Sequence, residues 1–250
     1  MKILVPQKQV ADPGIIVSGS RFDVNTSGTN TVVNPFCAIA LEAAVRLKEC
    51  GLAAEVIVVS IGTRAAQKFL TKSLACGADR ALLVEVDSEE DLIPLDIAYA
   101  LQQVVAVEKP DLVLMGKQAV DFDNNQVGQM LSALLDWPLI TAASKIAVEN
   151  RQLTVEHEVD DGMHIHTFLL PGVVTVDLQL NEPRSPGLAA VVKARSKSID
   201  IFHCPDFPTA KQQHLEVIDT YAPHRDINIK MLDDVKGLAD AIKTHSYRLG

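Results

Sequence analysis

Residues 111–130 carry the sequence DLVLMGKQAVDFDNNQVGQM, which changes from an apolar run to turn residues and then to a helical pattern. The run over residues 111–115 has almost no polar face, as expected of a parallel strand that helices cover on both sides. Asp123 stands at a plausible N-cap of the helix that follows, which extends through Leu134 and Leu135. Open α/β sheets bind ligands beyond the carboxyl ends of their strands, and the free N–H groups of a helix start attract anions. The stretch therefore predicts a phosphate-binding crevice.

Strand and helix patterns alternate through the rest of the first half of the chain. The sequence predicts strands over residues 1–8, 55–60, 81–86 and 112–115, and helices over residues 35–50, 64–76 and 92–107. This alternation indicates an α/β protein with a doubly wound, mostly parallel sheet. Residues 11–33 are rich in Gly, Ser, Thr and Asn, and we expect them to form a long irregular excursion or hairpin.

The pattern changes after Pro138. Period-two alternation predicts an antiparallel meander at the sheet edge, with segments at residues 146–149, 153–159 and 163–169. We place the antiparallel strands at about residues 145–178, and the whole nucleotide-binding α/β domain at residues 1–200. Residues 201–250 are polar at first and end in an amphipathic helix over residues 231–242, so we expect a C-terminal arm rather than a domain.

The composition argues against nucleic-acid and membrane partners. The 250 residues are 48% hydrophobic, and 23 Lys and Arg against 32 Asp and Glu give a net charge of −9. No apolar run approaches the roughly 20 residues that span a bilayer. The first residues form a strand pattern rather than a targeting segment. We therefore expect no nucleic-acid binding, no direct membrane insertion and a cytoplasmic location of the bacterial type.

The sequence shows no arrangement typical of a catalytic centre or a metal centre. No Ser, Cys or carboxylate pair has the spacing of a nucleophile and its base, so we expect a cofactor-carrying subunit rather than an enzyme. His157, His164 and His166 fall in the predicted meander, and His164 and His166 share one face. A third metal ligand would have to come from elsewhere, and exposed strand histidines are common, so we expect no metal site.

A second stretch points to the same crevice. The sequence NPFC at residues 34–37 starts a helix, with Asn34 as N-cap and Pro35 at the first helical position. The Cys37 thiol lies in the first turn, where its pKa could be lowered, although a small packed residue is the more common role. Asp121 and Asp123 would repel a bare phosphate, so we expect the backbone N–H groups of residues 124–127 to bind it. These two carboxylates could instead hold Mg²⁺, but a cap and a ribose or loop contact explain them equally well.

Together with a third stretch, these motifs resemble the beta subunit of electron transfer flavoprotein over roughly residues 1–200. The matching motifs are NPFC at 34–37, GADR at 77–80, GKQA at 116–119 and NEPR at 181–184. The resemblance implies an adenine nucleotide alpha hydrolase-like fold and a heterodimer with an alpha subunit that holds most of the FAD, while this chain binds AMP. Electrons would pass from acyl-CoA or related dehydrogenases to FAD, and on to a membrane quinone oxidoreductase.

The resemblance also implies positions for the sites. The AMP site would comprise Pro6, Asn34, Pro35, Phe36, Cys37, Ile61, Gly116, Lys117, Gln118, Ala119, Val120, Asp121, Phe122, Asp123, Asn124, Asn125, Gln126 and Val127. Phe36 would also approach the flavin that the alpha subunit carries. A loop at about residues 184–197 would dock dehydrogenases through Leu188, with Arg184 and Lys193 beside it, and the C-terminal arm would wrap the alpha subunit.

Departures from the family pattern keep other functions open. Pro6 and Gln7 stand where Ala and Val are usual, and residues 185–187 read SPG where Tyr-Ala-Thr is common, which leaves the client dehydrogenases open. A bifurcating relative would bind a second FAD in place of AMP and use NADH, but Phe122 replaces a glycine that the larger ligand would favour. A non-redox adenine-nucleotide sensor on the same fold is the second alternative.

Overall fold

A computed structural model describes residues 1–12, 18–20, 23–25, 31–89, 92–204, 229 and 231–246. The strands are β1 (Lys2–Pro6), β2 (Gln9–Ala11), β3 (Ser18–Ser20), β4 (Asp23–Asn25), β5 (Thr31–Val33), β6 (Glu55–Gly62), β7 (Arg80–Glu85), β8 (Leu112–Gly116), β9 (Leu139–Glu149), β10 (Gln152–Val159), β11 (Gly162–Leu169), β12 (Gly172–Val176) and β13 (Asp200–Phe202). The helices are α1 (Pro35–Glu49), α2 (Gln67–Ala75), α3 (Pro94–Glu108), α4 (Val127–Leu135), α5 (Leu188–Arg195) and α6 (Val235–Ser246), and a short 3₁₀ helix covers Arg64–Ala66.

The chain divides into two compact units. The first comprises Met1–Ile16 and Thr26–Glu216, and the second comprises Val17–Asn25 and Val217–Gly250. The second unit contains the β3–β4 hairpin and α6. None of the helices within the described ranges is long and apolar enough to cross a membrane.

The first unit is built on one large sheet. Within the described ranges it has nine strands, in the order β11-β10-β9-β12-β8-β1-β6-β7-β13. Seven neighbouring strands run parallel, namely β9, β12, β8, β1, β6, β7 and β13. The hairpin of β10 and β11 continues the sheet antiparallel at the β9 edge. The predicted fold class, a mostly parallel doubly wound sheet with an antiparallel edge, is confirmed.

Helices cover both faces of the parallel strands. One layer contains α1, α2 and α5, which pack through residues such as Leu41 and Leu70. The other contains α3 and α4, which pack through residues such as Leu101 and Leu131. Successive side chains of β8 point into the two layers in turn and are buried, which explains why this strand has no polar face.

The sheet changes its winding direction between β1 and β8. After β1 the chain adds β6 and β7 on one side, and it then crosses to β8 on the other side of β1. The loops that follow β1 and β8 therefore leave in different directions, and a crevice opens at the carboxyl ends of these two strands. The loop over residues 116–127, which joins β8 to α4, lies at this crevice.

Three predictions for the second half of the chain are wrong. β12 lies inside the sheet, parallel to both β8 and β9, and not within an antiparallel set over residues 145–178. All five of its residues are buried, so it needs helices on both faces. The predicted docking loop contains the helix α5, and β13 extends the sheet beyond residue 200, the end predicted for the domain.

The C-terminal helix also differs from its predicted range. It spans Val235–Ser246 rather than residues 231–242. The rest of the predicted arm over residues 205–228 lies outside the described residues, as does most of the predicted excursion over residues 11–33. The two ends of that excursion, β2 and β5, pair as an antiparallel ribbon.

Candidate functional site

The start of α1 lies directly against the end of β8. A Cβ atom built on Gly116 would lie 2.6 Å from Phe36 Cβ, 2.9 Å from the Phe36 carbonyl carbon and 3.0 Å from Cys37 N. Because two of these three atoms belong to the backbone, only glycine allows the strand and the helix to come so close. Gly116 thus joins the NPFC motif and the GKQA loop, which the sequence places far apart.

Asn34 is fully buried and holds the loop that follows β8. Its Nδ2 donates to the backbone oxygen of Gln118 at 2.8 Å and to Cys37 Sγ at 3.3 Å, and its Oδ1 accepts from the backbone N–H of Val120 at 3.2 Å. Asn34 occupies the N-cap position of α1, as predicted, but its side chain makes no capping hydrogen bond. The amide pairs instead with one donor and one acceptor of the loop backbone, and so it ties that loop to α1.

Gln7 supplies a second buried amide at the crevice, although the sequence predicts no role for it beyond a departure from the family pattern. Its backbone N–H donates to Val59 O at 2.7 Å, and its Nε2 donates to Cys37 O at 3.0 Å. Its Oε1 accepts from Ser73 Oγ at 3.2 Å. Gln7 therefore joins the end of β1 to both α1 and α2. A buried polar residue directly after an apolar strand is the signal that could have found it.

The loop after β8 runs further than predicted before the next helix begins. Gln126 is the N-cap residue of α4, so the prediction of Asp123 as N-cap is wrong. Asp123 and Asn125 have φ angles of 51° and 47°, in the left-handed region where a right-handed helix cannot continue. Asp123 accepts a hydrogen bond from Gln118 Nε2 at 2.9 Å. The free N–H groups of the first helical turn therefore begin at Val127, and the exposed residues 124–126 precede them.

The lysines at the crevice are paired with carboxylates. Lys8 Nζ lies 2.6 Å from Asp121 Oδ2 and 5.2 Å from the centre of the Phe122 ring. Lys117 Nζ lies 2.7 Å from Asp177 Oδ2. The repulsion that Asp121 would exert on a phosphate is thus offset by Lys8, and neutral groups are left as the main anion donors.

The remaining predicted residues take up structural positions around the crevice. Pro6 ends β1 beside Val59, and Ile61 lies near the end of β6, partly buried against the α3 and α4 layer. Phe36 is buried, with the Lys117 ammonium 5.6 Å from its ring centre. Burial raises the pKa of the Cys37 thiol, although a hydrogen bond from Asn34 opposes the shift, so this thiol is not activated.

A second candidate site is the docking segment, which we define as residues 181–195. Its NEPR motif is fixed to α1. Asn181 Nδ2 donates to Ile39 O at 3.1 Å. The Arg184 guanidinium binds two carboxylates of α1, with N–O distances of 2.7 and 3.1 Å to Glu42 and of 2.5 and 2.9 Å to Glu49. The predicted docking residue Arg184 is thus occupied within the chain, where it positions the segment.

Glu42 is the buried end of this ion network. Only 4% of its surface is exposed, yet it is charged, because Arg184 and Arg46 both contact it. Burial raises the pKa of the Glu42 carboxyl, but the hydrogen bonds from Arg184 and Arg46 together bring it below its usual value. The two neighbouring carboxylates in turn raise the pKa of the Arg184 guanidinium.

The helix α5 presents an apolar side chain outwards. Leu188 is its first residue and is 81% exposed, and Val192, one turn later, is 61% exposed. The opposite side of α5 packs against α2, with Ala194 buried. Lys193 and Arg195 are exposed beside the apolar pair, so the helix carries a small apolar patch with basic neighbours.

The chain is similar to known proteins over nearly its full length. The family model of the electron transfer flavoprotein domain matches residues 22–206. The mitochondrial electron transfer flavoprotein subunit beta of Arabidopsis thaliana is 41% identical over 251 residues, which cover 99% of each chain. The human subunit beta is 44% identical over 227 residues, or 89% of each chain. The Bradyrhizobium diazoefficiens subunit beta is 41% identical over 249 residues, which cover 98% of this chain and 99% of its own.

These matches define the class of the protein as an α/β electron transfer flavoprotein domain with a crevice at the sheet's switch point. The chain belongs to the electron transfer flavoprotein family, as a beta subunit. Subunits of this kind are electron carriers and not enzymes, which agrees with the expectation from the sequence.

Proposed function

We propose that this chain binds AMP in the crevice between β1 and β8 and pairs with an electron transfer flavoprotein alpha subunit that holds most of the FAD. The observation that carries the proposal is the attachment of the loop after β8 to the start of α1, through the hydrogen bonds of Asn34 with that loop and the close approach of Gly116 to Phe36. It fixes the loop over residues 116–127 at the switch point of the sheet, where α/β proteins bind nucleotides. Buried Asn34 holds the start of this loop within the chain itself.

The chemistry of the crevice suits a nucleotide monophosphate. The first-turn N–H groups of α4 face the carboxyl edge of the sheet and favour a phosphate, while Lys8 and Lys117 are each neutralised by a carboxylate. Gln129, in the same turn, has a buried Oε1 without a hydrogen-bond partner among the described residues. A ligand donor at the start of α4 would satisfy this atom. Gln129 lies outside the residues predicted for the AMP site.

The docking segment supports the proposed transfer of electrons from other proteins. We infer that Leu188 is the anchor for acyl-CoA or related dehydrogenases, since an exposed leucine on a rigidly held helix suits a transient interface. Lys193 beside it would steer an acidic partner. Electrons would then reach FAD and leave towards a quinone oxidoreductase at the membrane. The cytoplasmic location stays a prediction, which cell fractionation would test.

The first experiment is to count the bound cofactors. The chain is purified together with its alpha partner, the complex is denatured, and the FAD and AMP released are measured per heterodimer. We expect one FAD and one AMP. Two FAD without AMP would instead identify a bifurcating protein that uses NADH. AMP without any flavin-containing partner would identify a nucleotide sensor.

A further inference from the structure

Three histidines lie close together on the antiparallel β10–β11 edge of the sheet, away from the docking segment. His157 on β10 lies directly opposite His164 on β11, and His166 follows on the same face of β11. One ring nitrogen from each residue lies within 4.8 Å of the others. The ring centres are 5.2 Å to 6.0 Å apart. The expectation that a third ligand must come from elsewhere is therefore wrong, because the strand register supplies it from β10.

His157 has an unused nitrogen inside this cluster. Its Nε2 is buried and has no hydrogen-bond partner in the part of the chain that the structure describes. A neutral imidazole nitrogen that no protein group uses is a common ligand for a metal ion. A buried nitrogen without a partner is otherwise unfavourable.

The surroundings keep the rings available to a cation. Burial, followed by the neighbouring His166 and His164 rings, lowers the pKa of His157, which favours the neutral form that binds metals. The Asp161 carboxylate lies 3.3 Å from His164 Nε2, where it can orient that ring and offset added positive charge. No carboxylate belongs to the cluster of possible ligands among the residues described, and imidazoles alone favour zinc, copper or nickel over magnesium or calcium.

We propose that His157, His164 and His166 bind one divalent transition-metal cation of the zinc class, with a fourth coordination position open to water or another ligand. Three protein ligands with one open position form a common tetrahedral zinc arrangement. Zinc at about 2.1 Å from each nitrogen would bring these atoms to roughly 3.4 Å from one another. His164 and His166 are exposed, so side-chain rotation can close the remaining distance without disturbing the core.

The test is a zinc titration of the full heterodimer with the alpha subunit, prepared without a histidine tag. Equilibrium dialysis with Zn²⁺ should show one high-affinity site, and the double variant His164→Gln/His166→Gln should bind it more than about tenfold more weakly. His203→Gln is the matched control, because His203 is exposed and lies outside the cluster. Its affinity should equal that of the unmodified protein.

Two further measurements separate the possible failures. The AMP and FAD contents of the double variant should be unchanged, which makes this result independent of the proposed crevice. Co²⁺ bound at the site should give a spectrum without the charge-transfer band of a thiolate ligand. Equal zinc affinity in the double variant and the unmodified protein would overturn the proposal, and a thiolate band would assign the metal to a cysteine instead.

Discussion

The crevice loop and the docking segment are both attached to α1, but by opposite kinds of chemistry. At the start of α1, the buried amide of Asn34 holds the loop after β8 through neutral hydrogen bonds. Further along the same helix, the carboxylates of Glu42 and Glu49 hold Arg184 through charged ones. One helix therefore positions both candidate sites.

Two surfaces attached to one helix can therefore respond differently to salt and pH. Neutral buried hydrogen bonds depend little on salt and pH, since no group in them titrates. An ion network with an exposed end weakens as salt rises and as its carboxylates gain protons. We therefore expect the crevice to stay formed under conditions in which the docking segment loosens.

The largest effect is expected from Gly116→Ala, which places a methyl group where β8 and α1 are in close contact. The new Cβ would lie under 3 Å from both Phe36 Cβ and the Phe36 backbone, so the helix or the strand must move. We expect the free energy of unfolding to fall by about 3 kcal/mol and the bound AMP to be lost. Urea unfolding and nucleotide release from the purified heterodimer measure the two effects.

Gly187→Ala is the matched control for this change. Gly187 has no atom within 4 Å of an added Cβ, and it lies just before α5 in the docking segment. Its stability should change by less than about 0.5 kcal/mol, and its AMP content should stay the same. If both alanine variants retain AMP equally, the Gly116 contact does not shape the crevice.

The second effect is expected from Arg184→Ala, which removes the cation from the docking segment. Buried Glu42 would keep only Arg46 as a charged partner, beside the backbone N–H of residue 184, so we expect a loss of about 2 kcal/mol in stability. The rate of reduction by a dehydrogenase should fall while AMP and FAD remain bound. Lys193→Ala, an exposed cation on the same segment, should leave the stability unchanged. Loss of AMP from the Arg184 variant would show that the two sites are not separately held.

The sequence predicts the fold class well because periodic burial dominates it. The two-sided burial of β8 and the strand–helix alternation follow directly from the hydrophobic pattern, and so does the crevice at the end of β8. The position of β12 between β8 and β9 cannot be predicted in this way, because the sequence of a fully buried strand does not indicate which strands lie beside it. The short helix α5 lacks a clear periodic pattern, so the sequence predicted a loop there.

Contacts between distant residues are the part of the sites that the sequence could not supply. Arg184 and Glu42 are 142 positions apart, and either one alone resembles an ordinary surface charge. The same holds for Asn34, whose amide serves a loop 84 positions away instead of its own helix. The histidine cluster depends on the register of β10 against β11, which a turn motif alone does not determine.

A change of pH should affect the backbone amides of Arg184 and Val120 differently. The Arg184 N–H donates to the Glu42 carboxylate, and the Val120 N–H donates to the neutral amide of Asn34. The folded-state pKa of Glu42 is lowered, so its stabilising effect is present above its unfolded value of 4.5 and is lost as pH falls through the folded one. Hydrogen-exchange protection of the Arg184 amide should therefore decrease as pH falls below 4.5, whereas that of the Val120 amide should not. A parallel decrease at both amides would contradict the distinction between the two attachments.

Leu188→Ala should have the smallest effect on stability. Its effect on the rate of electron transfer from a dehydrogenase should be large. Leu188 is 81% exposed, so its truncation removes little buried surface and should change the free energy of unfolding by less than about 0.5 kcal/mol. A docking anchor nevertheless loses its pocket contact in the complex, which slows electron transfer from the dehydrogenase without releasing flavin.

Val192→Ala, on the same exposed side of α5, tests whether the anchor is Leu188 alone or the whole patch. Reduction of FAD by an acyl-CoA dehydrogenase, followed by stopped-flow absorbance, measures both variants. Unchanged rates in both would place the docking surface outside α5, although Arg184 would still hold this helix in place.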